Sequence, residues 1–199
     1  MNSELQALFE ADQEIRLRRL SQGQTDFSAV EVQELLAQEA QRRQRVTELI
    51  AEGALKDTED YYHAAMIFLH GESVEDFWQA HQLASTAAEM GYHTANADEM
   101  GYLPAKWLAA ATLDRWLMRQ GKPQKYGTQF LFDGKRYRLW DVDPATTDEE
   151  RAVYSVPSLT DAPKFLEELA RQDPHPSMDN SPEWLKELIK RWNQESDVP

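Results

Sequence analysis

Apolar residues recur at intervals of three and four through the first half of the chain, and each such run is bracketed by residues that start or stop helices. Over residues 3–21 the positions Leu5, Leu8, Phe9, Ile15 and Leu20 share one face. Asp12 and Arg16 lie on the same line, four apart, and form a candidate structural ion pair. Gly23 ends this predicted helix. Ser28 precedes a longer one, in which Val32, Leu35, Leu36, Val46, Leu49 and Ile50 repeat before Gly53 and the middle, QEAQRRQR, reads as a solvated face. Thr58 or Asp57 then caps a third helix that runs to Gly71. Ser73 or Glu75 opens a fourth that stops at Gly91, and Pro104 and Gly121-x-Pro123 bracket a fifth.

The period then changes from helical to alternating. Residues 126–132 and 135–142 are rich in aromatic and branched side chains and are separated by Asp133-Gly134, which predicts a β-hairpin over about 126–142. Short helices are expected at 147–154, 161–172 and 182–194. The stretch QDPHPSMDNSP before the last of these reads as a linker. The expected architecture is therefore mainly α: a helical bundle plus one β-hairpin. Residues 1–157 form its body, and C-terminal helices over 158–199, joined through the Pro-rich linker, dock on the same domain. Trp184, Leu188, Ile189 and Trp192 give the last helix an apolar face.

The composition narrows the chemistry. With 199 residues, 41% of them apolar, the chain can build a core without a metal or disulfide staple. It has no cysteine, which removes disulfides, thiolate metal sites and cysteine nucleophiles. No run approaches the length of an apolar membrane span, and the first residues lack the basic start and apolar core of a secretory signal, so a soluble, cytoplasmic protein is expected. The net charge of -14 disfavours duplex nucleic acid as a partner. One basic island interrupts this acidity: residues 114–138 hold seven bases and two acids, a local net of +5. Such an island either pairs with its own fold or attracts an anionic group.

Candidate chemistry gathers at that island. Asp114 lies on the apolar line Trp107, Ala111, Asp114, Met118, so its carboxylate is expected to point inward and to need a partner, with Arg16, Arg115 or Arg151 available. The loop GKPQKYGTQF concentrates lysine, glutamine, tyrosine and threonine around Gly127, as either a ligand-binding loop or a turn that satisfies its own backbone. The candidate ligand contacts are Arg115, Lys122, Gln124, Tyr126, Thr128, Gln129 and Arg151. His63, His70 and His81 match no established metal-ligand spacing, so no metal and no cofactor is expected, and His70 is the natural acid or base if catalysis occurs. Nucleophile elbows and Gly-rich phosphate loops are absent from the sequence.

Two resemblances add to this reading. Small residues at Ala65, Ala80, Ala84, Ala87, Ala88 and Ala95, with Gly71 and Gly91 ending their helices, resemble tetratricopeptide-like helix pairs, although only about one and a half such units are present. Separately, the run LDRWLMRQGKPQKYGTQF, with FLHG at 68–71, DQEIR at 12–16 and ERA at 150–152, resembles a widespread bacterial family of unknown function marked by an Asp-Arg pair followed by G-x-P-Q-x-Y-G-T-Q. That resemblance covers most of residues 5–157 and implies no particular activity.

Three functional readings follow. The first is a bacterial helical protein that binds a small polar or anionic ligand, or a peptide or protein partner, through the 121–130 loop and adjacent helices. The second is a hydrolase or transferase on a polar substrate, with Asp114 and His70 as acid and base. The third is an acidic regulatory or immunity-type partner of a basic protein. The sequence leaves the oligomeric state open.

Overall fold

The computed structural model describes residues 1–22, 29–92, 103–172, 186–187 and 189–190. The expected caps at Gly23 and Ser28, the linker and most of the 182–194 helix lie outside the described residues. Within them the chain forms helices α1 (Ser3–Gln22), α2 (Ala29–Ala51), α3 (Thr58–Leu69), α4 (Val74–Glu89) and α5 (Ala105–Arg119), strands β1 (Phe130–Phe132) and β2 (Tyr137–Leu139), and helices α6 (Asp148–Val153) and α7 (Ala162–Gln172). The fold is mainly α with one two-stranded antiparallel hairpin.

Local chemistry accounts for the helix ends. Asp57 is the N-cap of α3, and its backbone N–H is bound by the Asp60 carboxylate. Ser73 caps α4 by accepting from the Asp76 backbone N–H at 2.9 Å, while Asp76 Oδ2 accepts from the backbone of Glu72 and Ser73. Helix α5 ends in paired bonds from Gly121 N to the Met118 carbonyl and from Lys122 N to the Leu117 carbonyl, with Gly121 at φ +70°. Only glycine holds that left-handed position without strain.

Helix α4 packs against both α3 and α5 through small residues: Ala64, Ala65, Ala80, Ala84, Ala87, Ala105 and Ala109 are all buried. Helix α1 lies on α3 and brings Leu5 and Phe9 into the main core with Val46, Leu49, Tyr62, Ile67, Leu83 and Leu108. A smaller cluster, built on Ala110, Tyr126 and Val156, sits under the loop that follows α5.

The hairpin is shorter than the sequence pattern predicts. Its register pairs Phe130 with Leu139 and Phe132 with Tyr137, which leaves Asp133–Arg136 as a four-residue turn. The cause is the Asp133 side chain, whose Oδ1 accepts from the backbone N–H of both Lys135 and Arg136 at 2.9 Å. At the other end the pairing continues only at isolated points: Trp140 N donates to the Gln129 carbonyl at 3.1 Å, and Gln124 forms a single parallel bridge with Val142.

Candidate functional site

The helical stripe Trp107, Ala111, Asp114, Met118 turns Asp114 fully inward, at 0% exposure. Among the described residues no arginine pairs with it, in contrast to the expectation of Arg16, Arg115 or Arg151. Instead the loop after α5 folds over its carboxylate: Oδ1 accepts from the backbone of Lys125 (2.7 Å) and Tyr126 (2.9 Å), and Oδ2 accepts from the backbone (3.0 Å) and hydroxyl (2.8 Å) of Thr128. Burial pushes the Asp114 carboxyl above its ordinary range, and the four donors oppose that push. Both oxygens are occupied twice, so the group anchors the loop.

Gln124 fastens the loop from the other side. It is 0% exposed; its amide donates to the carbonyls of Gln129 and Trp140, and its Oε1 accepts from the Gln129 backbone at 2.8 Å. Gln129 Nε2 donates to the Ala111 carbonyl and to Thr128 Oγ1, and Gln129 Oε1 accepts from Arg115 Nε. Gly127 has φ +90°, and a Cβ there would meet Leu159 Cδ2 at 3.3 Å. Arg151, only 2% exposed, donates from Nε to the Tyr126 carbonyl and pairs with Asp148 at 2.9 Å. Burial and the neighbouring Tyr154 push the Tyr126 hydroxyl up. Of the predicted ligand contacts, Gln124, Tyr126, Thr128, Gln129 and Arg151 are thus buried and bonded within the fold, although Arg151 Nη2 is buried without a hydrogen-bond partner among the described residues. Lys122 is exposed, bonds Gln120 and lies over the Trp116 ring at 5.4 Å.

Arg115 is placed differently. It points to the C-terminal end of α3, where Nη1 donates to the Leu69 carbonyl at 3.1 Å, and Arg119 Nη2 donates nearby to the Glu72 carbonyl at 2.8 Å. Both guanidiniums lie over the Phe77 ring, at 5.8 and 5.6 Å. Nε and Nη1 of Arg115 are fixed by Gln129 and Leu69, while among the described residues Nη2 makes no hydrogen bond and no carboxylate pairs with the group. Burial first, and then Arg119 and Arg16, push the Arg115 guanidinium down to about 10.

Beside it lies a layer of charge between α1, α2 and the end of α3. Arg16 pairs with Asp12 at 3.3 Å and Glu39 at 3.0 Å, and Arg42 Nε stands 3.9 Å from Asp12 Oδ1. His70 Nδ1 is 2.8 Å from both Asp12 Oδ2 and Arg16 Nε. Asp12, Glu39 and Arg42 are at most 9% exposed, and Arg42 Nε and Nη2 are buried with no hydrogen-bond partner. The middle of α2 is thus not a uniformly solvated face, because Glu39 and Arg42 continue the buried line to Val46 and Leu49. Despite the burial that opposes it, the Asp12 carboxyl is held below its ordinary range by His70 and Arg16. Burial outweighs Asp12 at His70 and lowers that imidazole. His63 stacks on Phe9 at 4.0 Å and His81 donates to the Ala109 carbonyl at 2.9 Å; both are lowered by burial. Among the described residues, no group of three or more histidines and carboxylates is placed to hold a metal ion.

Two concave surfaces lie outside this layer. A mostly apolar pocket of about 120 Å³ between the hairpin and α7 is lined by Trp107, Gly127, Thr128, Phe130 and Phe165 among others, and a shallow cleft of about 320 Å³ is lined by Val74, Glu75, Trp78, Gln79 and Trp116. Neither is lined by Asp114, Arg115 or His70. No helix of the described residues is long and apolar enough to cross a membrane. No protein-family model, curated protein or solved structure matches the chain.

Proposed function

We propose that this is a binding protein without catalytic chemistry, which takes the anionic group of a small ligand or peptide end where the C-terminus of α3 meets α1 and α5. The observation that carries this reading is Arg115. Its guanidinium is oriented by two hydrogen bonds and, among the described residues, pairs with no carboxylate and makes no hydrogen bond from Nη2. A preorganised planar cation of this kind suits an oxyanion, because it loses little freedom on binding and offers its N–H groups in a fixed fork. In a chain of net charge -14, the +5 of residues 114–138 gives the anion a local attraction. The acid-base reading draws no support from Asp114, whose acceptor positions are filled by the loop.

The test is a titration of sulfate, acetate and a short peptide into the protein at constant ionic strength, followed by heteronuclear NMR. Saturable shifts centred on residues 69–72 and 115–119 are expected, and they should be lost in Arg115→Gln and kept in Lys164→Gln, whose residue is exposed on α7. Linear, unsaturable shifts with every anion would overturn the proposal.

A further inference from the structure

His70 stands where the charged layer meets Arg115, and it has two claimants for one nitrogen. Asp12 Oδ2 and Arg16 Nε both lie 2.8 Å from Nδ1. A carboxylate only accepts and a guanidinium only donates, so Nδ1 satisfies Asp12 when it carries a proton and Arg16 when it does not. Arg16 Nε also reaches Asp12 Oδ2 at 3.3 Å, so a ring protonated on Nδ1 leaves both groups bonded. The imidazolium donates from Nδ1 to Asp12, and its second N–H, on Nε2, then points away from both. Both hydrogen bonds of the ring to the described residues are made at Nδ1, which leaves Nε2 unbonded by them, and the side chain is 15% exposed.

The charges around the ring decide its state. From α1 it faces Asp12 and Arg16; from α2, Glu39 and Arg42 act through those two residues; from α5 it feels Arg115. The named groups comprise three guanidiniums and two carboxylates, so the layer holds one positive charge beyond balance while His70 is neutral. Adding a proton to the ring without an incoming anion raises that excess to two. Burial and the two nearby arginines accordingly keep the ring less basic than an ordinary histidine. An anion bound at Arg115 would cancel part of that field and give the Nε2–H a partner.

We infer that anion binding at Arg115 takes up one proton on His70, whose Nε2–H becomes the second donor to the bound oxyanion. The site is then a proton-linked one, suited to a carboxylate, sulfate or phosphate group with two acceptor oxygens. This inference rests on the anion-binding reading given above and adds its regulation. By linkage, a ligand that raises the proton affinity of a group binds more tightly as the pH falls, by up to about tenfold per pH unit for one proton.

Sulfate is the probe, because its own charge does not change between about pH 6 and about pH 8, where a histidine titrates. Wild-type protein is titrated with sulfate across that range at fixed ionic strength, and the His70 ring resonance, identified by its loss in His70→Gln, is followed with and without sulfate. The expected result is affinity that rises severalfold per unit fall in pH, a His70 midpoint displaced to higher pH by sulfate, and a pH-independent affinity in His70→Gln, whose amide still donates. Sulfate binding that saturates but is flat with pH, or a His70 midpoint that sulfate leaves in place, would overturn the proton linkage and leave the anion site standing. Absence of saturable binding at every pH would overturn both. The wild-type ring titration needs no variant, so the test survives even if His70→Gln folds poorly.

Discussion

Asp114 and Arg115 are sequence neighbours on α5 that are joined only through two other side chains. Arg115 Nε donates to Gln129 Oε1 (3.1 Å), Gln129 Nε2 to Thr128 Oγ1 (3.0 Å), and Thr128 Oγ1 to Asp114 Oδ2 (2.8 Å). The chain runs from cation to anion with every donor pointing the same way, so each bond polarises the next. It also ties both faces of α5 to one loop. Removing a middle member should therefore cost more than one exposed hydrogen bond. Gln129→Met keeps the length of the side chain but strands Arg115 Nε and the Ala111 carbonyl; urea unfolding should show a loss of about 1–3 kcal/mol. In a double-mutant cycle with Thr128→Val the two losses should fall short of additivity by at least about 0.5 kcal/mol, and strict additivity would show that the chain does not act as a unit.

Asp114→Asn retains shape but places an amide N–H against groups that are themselves donors. Both carboxylate oxygens are accepting two bonds each, and an asparagine supplies only one oxygen. The loss should be about 2–4 kcal/mol, which is large for an isosteric change, because buried N–H groups are left unpaired. Amide exchange at Lys125, Tyr126 and Thr128 should accelerate more than exchange in α3. Uniform acceleration across the fold would point to a general loss of stability in place of a released loop.

The inward turn of Asp114 and the short helices' caps were legible because side-chain type announces them: a carboxylate on an apolar stripe, and a serine or aspartate before a helix. What binds Asp114 was not. Three of its four donors are backbone N–H groups, which nearly every residue carries, so no residue type marks them in a sequence. The loop's density of polar side chains signalled that the segment was unusual, and the same density serves to fasten Gln124 and Gln129 to carbonyls. Glu39 and Arg42 were missed for a different reason. Their period places them in line with Val46 and Leu49, but two charges in a run of polar residues read as solvated, and only the arrival of Asp12 and Arg16 from α1 makes their burial tolerable.

Gly71 has an ordinary backbone conformation and a specific reason to be glycine. A Cβ there would fall 2.3 Å from Asp76 Cβ and 2.5 Å from its Oδ2. Asp76 is the residue that binds the backbone of Glu72 and Ser73 and pairs with Arg43 at 3.6 Å. Gly71→Ala should thus act by displacing the α4 cap, at a cost of about 1–2 kcal/mol. Asp76→Gly, which removes the Cβ as well as the carboxylate, should cost at least as much, and adding Gly71→Ala to it should then cost little. If the alanine remains as harmful without the Asp76 side chain, the clash lies elsewhere.

Acid should weaken the fold before any carboxylate is titrated. His63, His70 and His81 are all less basic when folded than the ordinary value of 6.5, with burial the first cause in each. The unfolded chain then binds more protons than the folded one in the window below 6.5, so stability falls as the pH falls through it and is fully present above it. Each histidine contributes a slope of at most about 1.4 kcal/mol per pH unit. Asp114 works in the opposite direction, since its raised carboxyl means that acid relieves a burial penalty, and Asp12, which is lowered, adds its loss only below its ordinary 3.8. Urea titrations in sulfate-free buffer between about pH 7.5 and about pH 5.5 should show a steady decline. His63→Phe should flatten it most cleanly, because His63 stacks face to face on Phe9 and leaves its Nδ1 without a partner, so a phenyl ring fills the same space with nothing to protonate. A slope unchanged by that substitution would place the protons on other groups, and a wild type equally stable across the range would mean that the buried rings accept their protons in place.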